Sequence, residues 1–267
     1  MIKELLTRWT RLPPRRQAAV IELYLDLLEQ TLTGALLEDE GIKPAHSQNL
    51  SPSPYDEQAR LRGADWPAHA HTMIGLTRMR SLRRQVIQVL EEDIPGDFIE
   101  TGVWRGGACI FMRAILAAFD VRDRRVWVAD SFVGLPPPNP DEYPADEGDT
   151  HHTVKFLAVP LDEVRQNFAK YSLLDSQVGF LEGWFKDTLP NAPIDRLAIL
   201  RLDGDMYEST IQALNALYHK VSPGGFVTID DYNIPHCRQA VTDFRAQNNI
   251  AGELAPIDER AVFWRKP

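Results

Sequence analysis

Phe98-Ile-Glu-Thr-Gly-Val-Trp-Arg-Gly-Gly107 decides how this 267-residue chain reads. A β-rich run, Phe98–Val103, passes directly into a helical segment, Gly107–Phe119. Backbone free of obstructing side chains therefore stands at the carboxyl end of a strand, where open α/β sheets bind ligands. A dinucleotide fingerprint would place its second glycine where Trp104 stands, and that glycine is what lets a pyrophosphate approach the backbone. The tryptophan argues against NAD and for a nucleoside without a diphosphate.

Outward from this stretch, β-rich runs at Val126–Ser131, Val178–Glu182, Leu197–Asp203 and Gly225–Asp230 alternate with helical segments near Leu161–Tyr171 and Glu208–Lys220. Such alternation predicts a doubly wound α/β fold, a mostly parallel sheet covered by helices on both faces. The last two runs, Glu253–Ile257 and Ala261–Arg265, are separated by only Asp258, Glu259 and Arg260. That gap is too short for a parallel crossover, so they predict an antiparallel hairpin closing one edge of the sheet. Upstream, Ile21, Tyr24, Leu25, Leu28 and Leu32 recur at helical spacing within Gln17–Leu32 and predict an amphipathic helix that docks on the sheet. Ile42–Trp66, rich in Pro, Ser, Gly and Asp, reads as an irregular connection, and Leu76–Glu92 as a further helix. Phe132–Pro160 holds six prolines and an acidic run at Asp141–Asp149; a loop of that length reads as a cover over an active site or a disordered excursion.

Composition narrows the function. With 38 acidic and 29 basic residues the net charge is −9, the wrong sign for a protein that lives on nucleic acid or anionic lipid. A small neutral or cationic ligand fits better. The two cysteines, Cys109 and Cys237, match no zinc spacing and point to a reducing compartment. No run approaches the ~20 apolar residues of a membrane helix and no secretory signal is evident, so the expected location is the cytoplasm. Met1–Arg16 carries five basic residues against one acid. It reads as an exposed or subunit-facing arm, with a transit peptide or membrane-surface helix as the alternatives.

The strand ends carry the candidate chemistry. Asp130, closing the second strand, can accept hydrogen bonds from both hydroxyls of a ribose; the alternative is that Asp130 or Glu100 caps a helix or binds a loop. Asp203, Asp230 and Asp231 stand at the ends of two further strands and can converge on the same rim. Clustered carboxylates repel unless protons or a cation neutralise them, and an all-oxygen set suits a hard ion such as Mg²⁺. Asp205 and Glu208 read instead as caps of the following helix. The pairs His69/His71 and His151/His152 lack the i, i+4 spacing of a helical zinc site. His151, at the end of the acidic loop, can swing over the rim as a general base.

Together these residues resemble a class I S-adenosylmethionine-dependent methyltransferase, with Glu100-x-Gly102-x-x-x-Gly106 for the methionine part of the cofactor, Asp130 for its ribose and a terminal hairpin. More specifically, the chain resembles the macrocin O-methyltransferase family, which methylates sugar hydroxyls on antibiotics such as macrolides and aminocoumarins. The matching elements are Leu32-Thr-Gly34 with Glu38-Asp39, His71-Thr-Met-Ile-Gly75, Phe98–Gly107, Asp130-Ser-Phe-Val-Gly-Leu135, Glu182-Gly-Trp-Phe185, Leu202-Asp-Gly-Asp205 and Ile229-Asp-Asp-Tyr232. The resemblance implies that Met73, Ile74, Gly75, Thr101, Ser131, Gly183, Trp184, Phe185 and Asp203 join Glu100, Gly102, Gly106 and Asp130 around the cofactor. It implies Mg²⁺ on Asp203, Asp230 and Asp231, completed by a sugar diol of a small glycosylated substrate, and a homodimer or larger homo-oligomer built through the N-terminal region. Residues 1–92 then form a helical cap and oligomerisation region and residues 93–267 the methyltransferase domain, with 131–160 as its lid, in one structural domain.

Methyl transfer from a sulfonium is an in-line displacement, so alignment of acceptor oxygen and methyl carbon is the main task, and a base remains useful for a sugar hydroxyl. Asp203 or His151 is expected to take the proton. The rival readings are a metal-dependent enzyme acting on catechols, a nucleotide-binding oxidoreductase, and a binding protein on a decayed methyltransferase fold. Trp104 disfavours the second, and intact Glu100, Asp130 and carboxylate cluster disfavour the third.

Overall fold

Runs such as Leu197-Ala-Ile-Leu200 leave no polar face for solvent, and their side chains are covered on both sides of a sheet. The computed structural model of the protein describes residues 13–43 and 51–267. Most of the expected basic arm and part of the expected connection, residues 44–50, lie outside them.

A helix, α1 (Pro14–Leu32), leads into a small antiparallel sheet of β1 (Gly41–Lys43), β2 (Ser51–Ser53) and β3 (Trp66–Pro67), with α2 (Glu57–Arg62) between the last two. Next come α3 (Gly75–Glu91), β4 (Asp97–Thr101), α4 (Gly107–Ala118), β5 (Val126–Asp130), α5 (Leu161–Lys170) and β6 (Val178–Glu182). The chain continues through α6 (Phe185–Thr188), β7 (Leu197–Leu202), α7 (Tyr207–Leu217), β8 (Val221–Ile229), α8 (Pro235–Gln247), β9 (Ala255–Pro256) and β10 (Val262–Arg265).

The large sheet has the order β6-β5-β4-β7-β8-β10-β9. Its first five strands run parallel, and β10 joins antiparallel to β8 with β9 at the edge, as the short hairpin predicts. Strand order reverses between β4 and β7, which opens a crevice at their carboxyl ends. Alternate residues supply two cores. Phe98, Val126 and Val128 share one core with α3 and α4, on which α1 docks, whereas Ile99, Trp127 and Ala129 share the opposite core with α7 and α8. Both cysteines are free and buried in these cores.

The N-terminal region is packed into the first core by Leu25, Leu28, Leu32, Ile74 and Met79. Arg60 is fully buried there: it pairs with Asp65 and donates to the carbonyls of Thr33 and Asp39 at 2.8 and 2.7 Å. Arg83 on α3 draws in α1 through Asp26, Glu29 and Glu22. Tyr24 departs from the expected buried stripe; it is 39% exposed, beside exposed Leu23 and Leu27, so the docked face of α1 is narrower than its apolar content.

Three further differences are structural. The stretch read as an irregular connection contains β2, α2 and β3, because Asp56 accepts from the Ala59 amide and Gly63, at φ +60°, closes the helix in left-handed conformation. Helix α8 stands where no helix was expected. Strand β8 begins at Val221, earlier than expected, running through Pro223 and two glycines. Among the described residues no helix is long and apolar enough to cross a membrane.

Candidate active site

The crevice at the strand ends is a cavity of about 1030 Å³. Its walls bring together most of the residues expected from the sequence: Met73 and Ile74 from the N-terminal region, Glu100 and Gly102 from β4 and its turn, and Asp130 and Ser131 after β5. Gly183, Trp184 and Phe185 follow β6, and Asp203, Asp230 and Asp231 follow β7 and β8, with His151 from the long loop. Thr101, Gly106 and Gly75 do not border it. Thr101 is buried within the sheet, Gly106 turns its α-carbon toward Val164, and Gly75 packs against Gly63.

Glycine at 102 is a steric necessity. Its φ is +83°, and a β-carbon there would lie 1.8 Å from the Asp203 carbonyl oxygen. Two strand ends thus touch backbone to backbone, and the Asp203 amide donates to the Thr101 carbonyl at 2.9 Å. Asp130 accepts from the amides of Val103 and Phe132, both at 2.8 Å, so it holds the glycine turn as well as facing the cavity. Each carboxylate oxygen has a second lone pair, and the loop-binding and ligand-binding readings of Asp130 are compatible.

Under the cavity floor lies an arginine for which the sequence reading had no role. Arg201, on β7, is 1% exposed. Its Nε donates to Glu100 Oε1 at 2.8 Å, and one terminal nitrogen donates to Asp203 Oδ2 at 2.7 Å and Asp230 Oδ1 at 2.6 Å. Glu100 has both oxygens occupied, the second by the Cys109 thiol at 3.1 Å. Arg78 on α3 pairs with the other oxygen of Asp230. An arginine inside the apolar run Leu197–Leu202 was the available signal, since a buried cation demands buried partners.

The expected carboxylate cluster does form: one oxygen each from Asp203, Asp230 and Asp231 fall within 4.8 Å of one another. Burial and the neighbouring carboxylates push Asp203 and Asp231 well above the usual carboxylate range. Burial opposes the charge of Asp230 too, but Arg201 and Arg78 outweigh it and hold that group below its ordinary value.

Asp205 and Glu208 do not cap α7. Its terminal amides, Tyr207 and Glu208, are accepted instead by the buried Asp146 carboxylate at 2.7 and 2.9 Å. Asp205 sits at φ +58° on the cavity wall, and burial pushes its carboxyl up to about 6, with His151 opposing. Asp146 belongs to the long loop, which therefore anchors itself on α7. A second anchor lies across the cavity, where Phe156 packs between Trp66 and Trp104 and its carbonyl accepts from the Trp104 indole at 2.9 Å. Parts of residues 131–160 thus line the cavity, and Trp104 fastens the loop at Phe156. His151 borders the cavity with Nδ1 2.7 Å from Asp149 Oδ2; this bond raises its pKa to about 9 against the opposing effect of burial.

An open sheet of this order, with its crevice at the β4/β7 switch, has the architecture of a class I methyltransferase. CalS11, a calicheamicin methyltransferase, shares it at TM-score 0.59 over 71% of this chain and 79% of its own, with 23% identity. Residues 21–266 match the macrocin-O-methyltransferase (TylF) family. The demethyldecarbamoylnovobiocin O-methyltransferase of Streptomyces niveus is 54% identical over 91% of this chain and 93% of its own. The mycinamicin III 3''-O-methyltransferase of Micromonospora griseorubida is 49% identical over 92% and 97%. The solved structure of the O-methyltransferase NovP superposes at TM-score 0.86, with 53% identity, over 92% of this chain and 99% of that one. The chain is therefore an S-adenosylmethionine-dependent O-methyltransferase. It belongs to the macrocin O-methyltransferase family.

Gly102→Ala places a methyl group inside a backbone contact. Calorimetric titration with S-adenosylhomocysteine is expected to show binding abolished in this variant, whereas Gly252→Ala, where the new β-carbon meets nothing, binds as the parent does.

Proposed function

We propose that the protein transfers the methyl group of S-adenosylmethionine to a sugar hydroxyl of a glycosylated secondary metabolite of macrolide or aminocoumarin type, with Mg²⁺ bound by Asp203, Asp230 and Asp231. One observation carries the reading: the glycine turn with Asp130 and the three-carboxylate cluster share a single cavity. At about 1030 Å³ that cavity is at the upper end of the roughly 300–1,000 Å³ usual for one small ligand, so a nucleoside donor and a sugar fit together. The named substrates of the relatives, a novobiocin precursor and mycinamicin III, are of this chemical kind.

The residues fit the donor, and they fit a cation once Arg78 yields one oxygen of Asp230. For the donor, Gly102 leaves open backbone at the strand end and Asp130 has lone pairs to spare. For the cation, Asp203 and Asp231 each keep one oxygen free of protein hydrogen bonds, the second oxygens being engaged by Arg201 and the Asp205 amide. The donor supplies an electrophilic methyl group on a positively charged sulfur. The cation supplies Lewis acidity that makes a bound hydroxyl easier to deprotonate.

Everything else falls to the chain. Walls on five strand ends restrict the acceptor to one approach, which is how alignment lowers the barrier of a displacement. The long loop, anchored at Phe156 and Asp146, excludes water from the reacting centre when it closes on substrate. Of the two groups expected to take the acceptor proton, Asp203 already accepts from Arg201 and serves the cation, which weakens it as a base. His151, oriented by Asp149, is the proton acceptor in this proposal. Groups facing it are Asp149, Asp205 and Asp231, all acidic, which keep it protonated at neutral pH. Leu23 and Leu27 on α1, with Leu37 beyond it, offer an apolar surface for a second copy of the chain, the homo-oligomer the sequence suggests.

Turnover of glycosylated macrolide and aminocoumarin acceptors, compared with catechol, tests the substrate class: methylation of catechol alone overturns it. Asp203→Asn is expected to lower turnover at least ~100-fold, in the range for loss of metal or base chemistry, with cofactor affinity within about twofold of the parent. A large loss of cofactor binding contradicts that role. With His151 as base, kcat rises with pH until the imidazole is free, near its pKa of about 9. Asp149→Asn removes the hydrogen bond that raises this pKa, so the rising limb moves to lower pH; an unmoved limb excludes His151.

A further inference from the structure

Arg78 bridges two carboxylates and satisfies only one of them. One terminal nitrogen pairs with Asp230, and the other donates to the Gly63 carbonyl at 3.2 Å. Its Nε lies 3.3 Å from Asp258 Oδ2, yet the two atoms make no hydrogen bond; both are buried and both lack any other partner. The two atoms attract as an ion pair at 3.3 Å without hydrogen-bond geometry, and a second position of the arginine that aligns them completes the bond both lack.

Both ends of such a move are fixed in advance. Asp258 is locked in the turn between β9 and β10, with Oδ1 accepting the amides of Arg260 and Ala261 at 2.8 Å each, so Oδ2 stays aimed at Arg78. Asp230 is held from its other oxygen by Arg201 and keeps its place whether or not Arg78 remains. Space is cut for the guanidinium by Gly63, where a β-carbon would lie 2.3 Å from the Arg78 terminal nitrogen.

We infer that Arg78 is a built-in counter-cation of the carboxylate cluster, seated on Asp230 when no divalent ion is bound and handed to Asp258 when one binds. The inference rests on the reading of Asp203, Asp230 and Asp231 as cation ligands. Asp230 has both oxygens occupied by arginines, so a divalent ion competes with Arg78 for one of them. The apparent affinity for the ion is then reduced by the fraction of molecules in which Arg78 is still seated on Asp230. Asp258 makes that transfer favourable, which links the cation site to the terminal hairpin and, through α3 and Gly63, to the N-terminal cap.

The test is calorimetric titration of Mg²⁺ into the full-length protein saturated with S-adenosylhomocysteine, for the parent, Asp258→Asn, Arg78→Met and the double variant. Asparagine retains Oδ1 for the two turn amides, so Asp258→Asn removes the charge and keeps the turn. Expected is a roughly tenfold weaker Mg²⁺ affinity in Asp258→Asn and a tighter one in Arg78→Met, and in the Arg78→Met background the second substitution changes affinity by less than about twofold, the signature of coupling in a double-mutant cycle. Mg²⁺ affinity unchanged in Asp258→Asn, or weakened in Arg78→Met as for a mere buttress of Asp230, overturns the inference. If Arg78→Met does not fold, Asp258→Asn alone decides. A parent protein that binds S-adenosylhomocysteine but no Mg²⁺ overturns the cation reading itself, and this inference with it.

Discussion

The guanidinium of Arg201 sits where three strands end, and three carboxylates converge on it: Glu100 from β4, Asp203 beyond β7 and Asp230 beyond β8. Taking an arginine and its partners out of water is expensive, and such a group persists only when its geometry and hydrogen bonding are nearly complete. Here they are. Glu100 lies on the strand that leads into the glycine turn, and Asp203 and Asp230 belong to the carboxylate cluster. A single buried cation therefore fixes the distance between the two halves of the cavity, and a displacement reaction depends on that distance.

The long loop, residues 131–160, is also held by a few anchors. An acidic, proline-rich loop has little apolar surface to bury, and it is held at two points: Asp146 supplies the acceptors that the first amides of α7 lack, and Phe156 fills the gap between Trp66 and Trp104. Trp104 takes φ +47°, an unusual conformation for a bulky residue, and the strain accompanies its position between the glycine turn and Phe156 of the long loop. The residue that excludes a pyrophosphate in the sequence pattern thus has a positive structural task.

Much of the sheet was legible because buried parallel strands are continuous apolar runs punctuated by turn residues; Val178–Glu182 was placed to the residue, and the hairpin followed from loop length alone. Helix α8 was not, since Pro235–Gln247 mixes polar and apolar residues and buries only Cys237, Ala240, Val241 and Phe244. Nor was the small sheet near the N-terminus, whose strands of two or three residues are set by tertiary contacts of Arg60 and Asp39 and carry no periodicity. For the site, residue types at strand ends were enough to gather the carboxylates. The cap of α7 is not legible from local spacing, because Asp146 is some 60 residues away in sequence. Arg201 and Arg78 were overlooked for the same reason, since their partners arrive from other strands.

Arg201 joins the glycine turn to the carboxylate cluster, and the variant Arg201→Met separates that role from passive burial. Removing one partner of a buried ion network costs roughly 3–5 kcal/mol, because the remaining charges are left unpaired. Titration of S-adenosylhomocysteine and of Mg²⁺ into this variant, with its melting temperature recorded alongside, should show both affinities and the stability falling together. Parent-like binding of both ligands by a protein that melts where the parent does would show that Arg201 holds neither half of the cavity.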